Sequence, residues 1–314
     1  MLLALPAMRL FRHAFRQSPL YLMGHPERLS LVAYDLKAET IHSVDQAGMA
    51  YFYLEDASLP SPLCSFFSSF ELVLTFSGKD GQTLSKNLAK AGVGRVLTLP
   101  ALSSEGLKVH VSDYMIQLLR KEGIEGEVPD HPLQLSEEAL KFSRDYLARS
   151  GLKENERILA IHPGSGNPAK NWSPSHFAKI ADWAVGRARV LFISGPAQDG
   201  VQEVRGNLKR ATPLIAENLS LLQLAAILRR CTAYLGNDSG ITHLASSLGL
   251  PTVALFGPTD PEVWGPRGTS VRIMFGTKPD PPFFSGPQSH RYAPCPVNNL
   301  EPDEVIAVLA PLLG

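Results

Sequence analysis

Two short segments of this 314-residue chain place anion-binding chemistry at spacings that matter. The first is His162-Pro163-Gly164-Ser165-Gly166, directly after the apolar run 158–161 (ILAI). Glycine and serine after a strand let the backbone turn tightly and present N–H groups to an anion. Lys170 follows, a point charge on a flexible stem. Then come Trp172, Ser173 and Pro174, with Ser173 as a capping hydroxyl and Pro174 at the first helical position. A loop that joins a strand end to a helix start is where phosphate binding is physically favoured. The plainer reading is an ordinary strand–helix connection with a lone lysine. It is not a Walker motif, because no Gly-Lys-Ser/Thr closes it.

The second segment is AYLGNDSGITHLASSLG at 233–249. A strand ends near Gly236, Asn237-Asp238-Ser239-Gly240 turns the chain, and a helix begins around Ile241. The N–H groups of Ser239, Gly240 and Ile241 then lie at a helix N-terminus, suited to a diphosphate. Asp238 is an acid at that mouth, fit for hydroxyls or a lysine rather than phosphate. Its plainer role is an N-cap. His243, one turn in, is placed to donate to an anionic oxygen or to pack in the core. Asp199, after the strand run 189–195, suits ribose hydroxyls or is an ordinary helix-start acid.

These segments need a sheet to carry them. Strand runs at 158–161, 189–195, 213–215, 233–236 and 252–257 alternate with helical patterns that start near Pro174, Ser220 and Ile241. The final helix is expected over 302–313, with Asp303 and Glu304 at its N-terminal dipole. In the first half, strands are expected at 20–24, 71–78 and 95–101. Helices fall over 3–15, within 78–92, from about Ser112 to Gly123, and from Ser136 to Gly151. The segment from His25 to Ala50 carries no readable pattern, and residues 277–299 are proline-rich and irregular. The alternation implies α/β architecture with parallel sheets. At this length the chain should form about two domains, expected over 1–152 and 153–314.

Composition narrows the classes. Hydrophobic residues are 44% and charged residues 19%, which excludes a disordered chain. Lys+Arg and Asp+Glu both number 30, so no net basic charge supports a dedicated nucleic-acid binder. No apolar run reaches membrane-span length. Cys64, Cys231 and Cys295 are scattered, with neither metal-ligand spacing nor a disulfide framework, which points to a reducing compartment. The opening, MLLALPAMRLFRHAFRQSP, puts its apolar residues before its basic ones, the reverse of a secretory leader. Leu3, Ala7, Leu10, Ala14 and Phe15 mark one helical face, with Arg9, Arg12, His13 and Arg16 on the rest of the surface. A surface helix is the plain reading, and a basic helix touching anionic lipid is the alternative.

HPGSG with Lys170, Trp172 and Pro174, followed by GNDSGITHLASSLGLPTVALFGPTDP, resembles glycosyltransferase family 9, the ADP-heptose:lipopolysaccharide heptosyltransferases and their relatives. The resemblance runs from Ile158 to about Leu309 and is weaker in the first half. It implies a GT-B fold, two Rossmann-like domains facing across a cleft. The first would take the acceptor, and the second the nucleotide-sugar donor, ADP-heptose being favoured. The last helix is a candidate to pack back on the first domain. The implied reaction is inverting, metal-independent and cofactor-free. It transfers a heptose-like sugar to a lipopolysaccharide-core or other cell-envelope glycolipid. The implied place is the cytoplasm, with peripheral contact at the inner membrane. By the same resemblance, Ser165 and Gly166 hold donor phosphate, Lys170 neutralises the leaving diphosphate, and Asp238 orients the sugar or a phosphate-binding partner. Ser239, Gly240 and Ile241 offer backbone N–H groups, and His243 assists at the diphosphate. Asp199 lies near the family's ribose acid, at looser spacing.

One departure bears on catalysis. The family opens with a strand and a Gly-Asp pair ahead of an apolar helix like residues 2–15. Here the aspartate, the family's proposed general base, would precede Met1. An inverting transfer needs such a base. A sheet without that strand is expected to leave backbone groups unpaired. Three readings follow: an enzyme extending upstream, a shorter enzyme using an acid such as Asp35, Glu55 or Asp56, or a protein that binds nucleotide sugars without transfer. A nucleotide-sugar epimerase on the same architecture is a further alternative. A nicotinamide dehydrogenase is disfavoured, because no Gly-x-Gly-x-x-Gly follows a strand.

Overall fold

The structure is a computed structural model that describes residues 1–78, 81–100, 109–195, 200–275 and 296–314. The chain divides into one unit over Leu3–His131 and another over Pro132–Gly314. The division falls ahead of the expected 152/153 boundary. The reason is the helix Glu137–Arg149, which packs on a helix of the second unit rather than closing the first.

In the first unit the order is α1 (Leu5–Ala14), β1 (Tyr21–Gly24), α2 (Pro26–Ala33), β2 (Thr40–Ser43), α3 (Ser61–Phe67), β3 (Leu72–Ser77), α4 (Gly81–Lys90), β4 (Arg95–Pro100) and α5 (Val111–Lys121). β1 pairs with β2 and β3 with β4, both parallel, as separate two-stranded sheets. No strand precedes α1 among the described residues. The His25–Ala50 segment holds α2 and β2. The four-residue strand TIHS has too few apolar residues to announce itself, and its pairing to β1 makes it a strand. Met49, Phe52, Phe67, Leu84 and Leu88 belong to a core cluster of this unit, with Met23, Val73 and Val96 packed against it.

α1 buries Ala7 and Leu10, as the spacing predicts, together with Leu5, which the spacing left off that face, whereas Ala14 is exposed. Its arginines behave otherwise. Arg9 turns inward and grips Asp35 with a two-pronged bond, Nε to Oδ2 and Nη2 to Oδ1, both at 2.8 Å. Its third nitrogen donates to the His131 carbonyl at 2.8 Å. Arg12 donates to the carbonyls of Phe15, Arg16 and Ser18 and so closes the helix C-terminus. Two of the arginines expected on the open surface are therefore spent on the fold.

In the second unit the order is α6 (Glu137–Arg149), β5 (Ile158–His162), α7 (Pro174–Ala184), β6 (Arg189–Ile193), α8 (Val201–Gly206), β7 (Leu214–Ala216), α9 (Leu221–Leu228), β8 (Ala233–Asn237), α10 (Gly240–Ser247), β9 (Thr252–Phe256), α11 (Pro261–Trp264), β10 (Val271–Phe275) and α12 (Pro302–Leu313). One six-stranded sheet runs β10-β9-β8-β5-β6-β7, parallel throughout. Every residue of β5, β8 and β9 is buried, which explains their unbroken apolar runs. The helix caps follow local chemistry. Ser136 accepts from Ala139 N–H, and Ser220 with Gln223 forms a reciprocal capping box. Ser173 precedes Pro174 as expected, yet its hydroxyl meets Ser175 Oγ at 2.9 Å instead of capping. α12 belongs to this unit: Val305, Leu309 and Leu313 join Ile161, Phe177 and Leu255 in its core.

Candidate functional site

β5 and β8 are neighbours in the sheet, paired so that His162 stands opposite Gly236. Their C-terminal ends therefore lie side by side. The loop after β5 and the loop after β8 leave from one edge, where ligands of parallel sheets bind. Gly236 permits the close approach. A Cβ there would strike the Tyr234 hydroxyl and lie 3.0 Å from the His162 carbonyl.

Ser239 is the N-cap of α10. Its hydroxyl accepts the Thr242 N–H at 3.4 Å and meets Nδ1 of the buried His162 at 3.3 Å. Asp238 is therefore not the cap. Its own N–H stays with β9, donating to the Leu255 carbonyl at 2.9 Å. Its carboxylate takes Lys170 Nζ at 2.7 Å, with the lysine side chain 27% exposed and the aspartate 7%. Sequence reasoning allowed Asp238 a lysine partner, and the structure supplies Lys170. Gly240 and Ile241 fill the first turn, where helix geometry leaves N–H groups without an intrahelical acceptor. A Cβ added at Gly240 or Gly166 would meet no atom within 4 Å, so both glycines face open space. His243 lies one turn in and is half-buried.

In the first loop, Ser165 is occupied locally. Its hydroxyl donates to the Asn167 carbonyl at 2.7 Å and accepts the Asn167 N–H at 3.2 Å. The side chain thus shapes the turn rather than pointing a free proton outward. Asn167 Oδ1 takes the Ala169 N–H at 3.0 Å and starts the short 3-10 turn Pro168–Lys170. Trp172 is buried, donates from its indole to the Leu300 carbonyl at 2.9 Å, and packs edge-on against Phe177. So the structure brings Lys170, Asp238, Ser239, Gly240 and Ile241 to one sheet edge. Asp199 lies outside the described residues, as does Cys295. Cys231 is buried, and burial pushes its thiol up to about 12, so it is no nucleophile at neutral pH.

Three groups went unread in the sequence: Asn237, Thr242 and Tyr234. The Thr242 hydroxyl donates to the Asn237 carbonyl and meets the Tyr234 hydroxyl at 3.0 Å. Burial pushes the Tyr234 hydroxyl well up, against hydrogen bonds from Thr242 and Ser239, and keeps it protonated. The signal was a tyrosine and a threonine inside apolar elements, where a polar atom must find a partner.

The sequence matches glycosyltransferase family 9 (heptosyltransferase) over residues 82–290. The chain belongs to glycosyltransferase family 9. Among curated relatives, lipooligosaccharide heptosyltransferase 2 of Haemophilus influenzae is 29% identical over 46% of this chain and 44% of its own. The chain spans about half the length of the curated relatives it matches. Among solved structures, a family 9 glycosyltransferase of Veillonella parvula superposes with a TM-score of 0.77 at 19% identity, over 99% of this chain and 93% of that one. The ADP-heptose lps heptosyltransferase II of Escherichia coli gives 0.72 at 18%, over 100% and 95%. These likenesses establish the fold class expected from the motifs, α/β with parallel sheets as in the GT-B glycosyltransferases. The matched span, residues 82–290, includes the loops after β5 and β8.

Proposed function

We propose that this chain is an inverting, metal-independent glycosyltransferase. It moves a heptose-like sugar from ADP-heptose to a lipopolysaccharide-core or similar cell-envelope glycolipid. The observation that carries the reading is Lys170, held at 2.7 Å by Asp238 beside the N-terminus of α10. A departing nucleoside diphosphate needs positive charge set in place beforehand. Lys170 supplies a full charge and α10 supplies the positive end of its dipole. Asp238 keeps the ammonium near the mouth and is free to pass it to phosphate while turning to a sugar hydroxyl. Support for the sugar and acceptor comes from relatives named as lipooligosaccharide and ADP-heptose lps heptosyltransferases. We place the enzyme in the cytoplasm, at the inner membrane's cytoplasmic face, where such an acceptor is presented. No helix among the described residues is long and apolar enough to cross a membrane.

No residue here is assigned as the general base. Asp35 is excluded by its surroundings, since Arg9 takes both of its oxygens and its side chain has 0% exposure. Glu55 and Asp56 are exposed. With Asp35 committed to Arg9, a second reading is that the chain binds the donor without transferring it.

The test is to incubate the chain with ADP-heptose and a heptose-free core glycolipid and to follow the acceptor mass. A gain of one heptose per acceptor, with release of ADP, is the expected result. ADP-heptose binding without turnover supports the second reading. Failure to bind any nucleoside diphosphate sinks both.

A further inference from the structure

We propose that Asn237 is the positioning residue that holds the Lys170 loop against the N-terminus of α10, so that both reach one diphosphate. The inference rests on the donor-site reading above and adds to it a residue that neither motif spacing nor family likeness singled out.

Asn237 ends β8 and is fully buried. Its Oδ1 accepts the Trp172 N–H at 3.0 Å. Its Nδ2 donates to the Pro163 carbonyl at 2.6 Å and reaches Asn171 Oδ1 at 3.4 Å. Pro163 and Trp172 bracket the loop that carries Ser165, Gly166 and Lys170, so one side chain fixes both of its ends. The backbone of the same residue serves the other element. Its carbonyl accepts from the Thr242 hydroxyl in the first turn of α10. The next residue, Asp238, grips Lys170. Asn237 thus joins the two anion-ready elements, using its main chain for the helix and its side chain for the loop.

The role demands a donor and an acceptor on one planar head. Aspartate keeps the acceptor for Trp172 N–H but turns a second oxygen toward the Pro163 carbonyl. Alanine leaves the Trp172 N–H and the Pro163 carbonyl without partners in a buried place, which the loop relieves by moving. Once it moves, Lys170 leaves its place against Asp238 beside the start of α10.

The test is a double-mutant cycle read by calorimetric ADP affinity, with thermal unfolding recorded on every variant. Asn237→Ala is expected to weaken ADP on the order of tenfold or more. Lys170→Ala also weakens it, and the double variant is expected to be no weaker than the worse single one, because Asn237 acts through the lysine loop. Should Asn237→Ala fold poorly, Asn237→Asp provides a second readout. Its defect relative to the unaltered chain should shrink as the pH falls, when a neutral carboxyl again donates to the Pro163 carbonyl. Losses that add in the cycle, an unchanged affinity in Asn237→Ala, or an Asn237→Asp defect equal at every pH would each overturn the role of Asn237 while the donor site stands. An unaltered chain that binds neither ADP nor UDP overturns the donor-site reading, and this inference with it.

Discussion

Lys170 and Asp238 form an unequal pair, and the inequality has a measurable consequence. The aspartate is nearly enclosed, whereas the lysine keeps 27% of its side chain in solvent. Lys170→Ala leaves a buried carboxylate without its cation, which should cost about 1–3 kcal/mol. Asp238→Asn leaves an ammonium that can turn to water, so its cost should stay under about 1 kcal/mol. Urea unfolding of the two variants checks this, and equal midpoints or the reverse order would refute it. At this scale the two turns after β5 and β8 were legible because glycine and serine directly after an apolar run mark a strand end. Asn237 was not, because an asparagine in a turn is ordinary. Only the pairing of β5 with β8 shows that its side chain reaches back to Pro163 and Trp172.

At the scale of elements, α1 shows why charge patterning misled. A helical wheel puts Arg9 off the apolar face, and it cannot foresee that Asp35, just past α2, waits within reach. Arg9→Met keeps the packed stem but takes the two-pronged guanidinium from the enclosed Asp35 carboxylate, with His131 Nδ1 still 3.7 Å from it, and a loss of about 3 kcal/mol is expected. Denaturant titration would show it, and a loss below about 1 kcal/mol would mean that the fork is dispensable. α7 carries a pH dependence. His176 Nδ1 is buried with no hydrogen-bond partner among the described residues, and its ring meets Trp172 at 5.0 Å. Burial holds its imidazole below the ordinary range, partly offset by Glu301 and reinforced by Lys179. The unfolded chain then takes up a proton that the folded chain refuses. Stability contributed by His176 is full above about pH 6.5 and falls as the pH drops below it. His176→Phe keeps the aromatic contact and removes the proton, so its unfolding free energy should fall less between pH 7 and pH 5. Parallel curves for the two proteins would remove His176 as the cause.

On the whole-molecule scale, the two units are built to different standards of burial. In the second unit β5, β8 and β9 each have a strand on both sides and no exposed residue. Among the described residues of the first unit each strand pairs with one other, and no residue of β1, β2 or β3 is fully buried. Parallel strands normally need both faces covered and both edges paired. How the first unit's strands would pair was hidden, because TIHS carries no apolar alternation. Local opening should therefore take less free energy in the first unit. Hydrogen exchange is expected to run at least about tenfold faster at the amides of β1 to β4 than at those of β5, β8 and β9. Saturating ADP should slow exchange in the 163–172 loop and the first turn of α10, and leave β1 to β4 as they were. Equal protection of the two sets of strands would contradict the difference in burial. ADP protection that appears in β1 to β4 instead of the α10 turn would move the nucleotide away from Lys170 altogether.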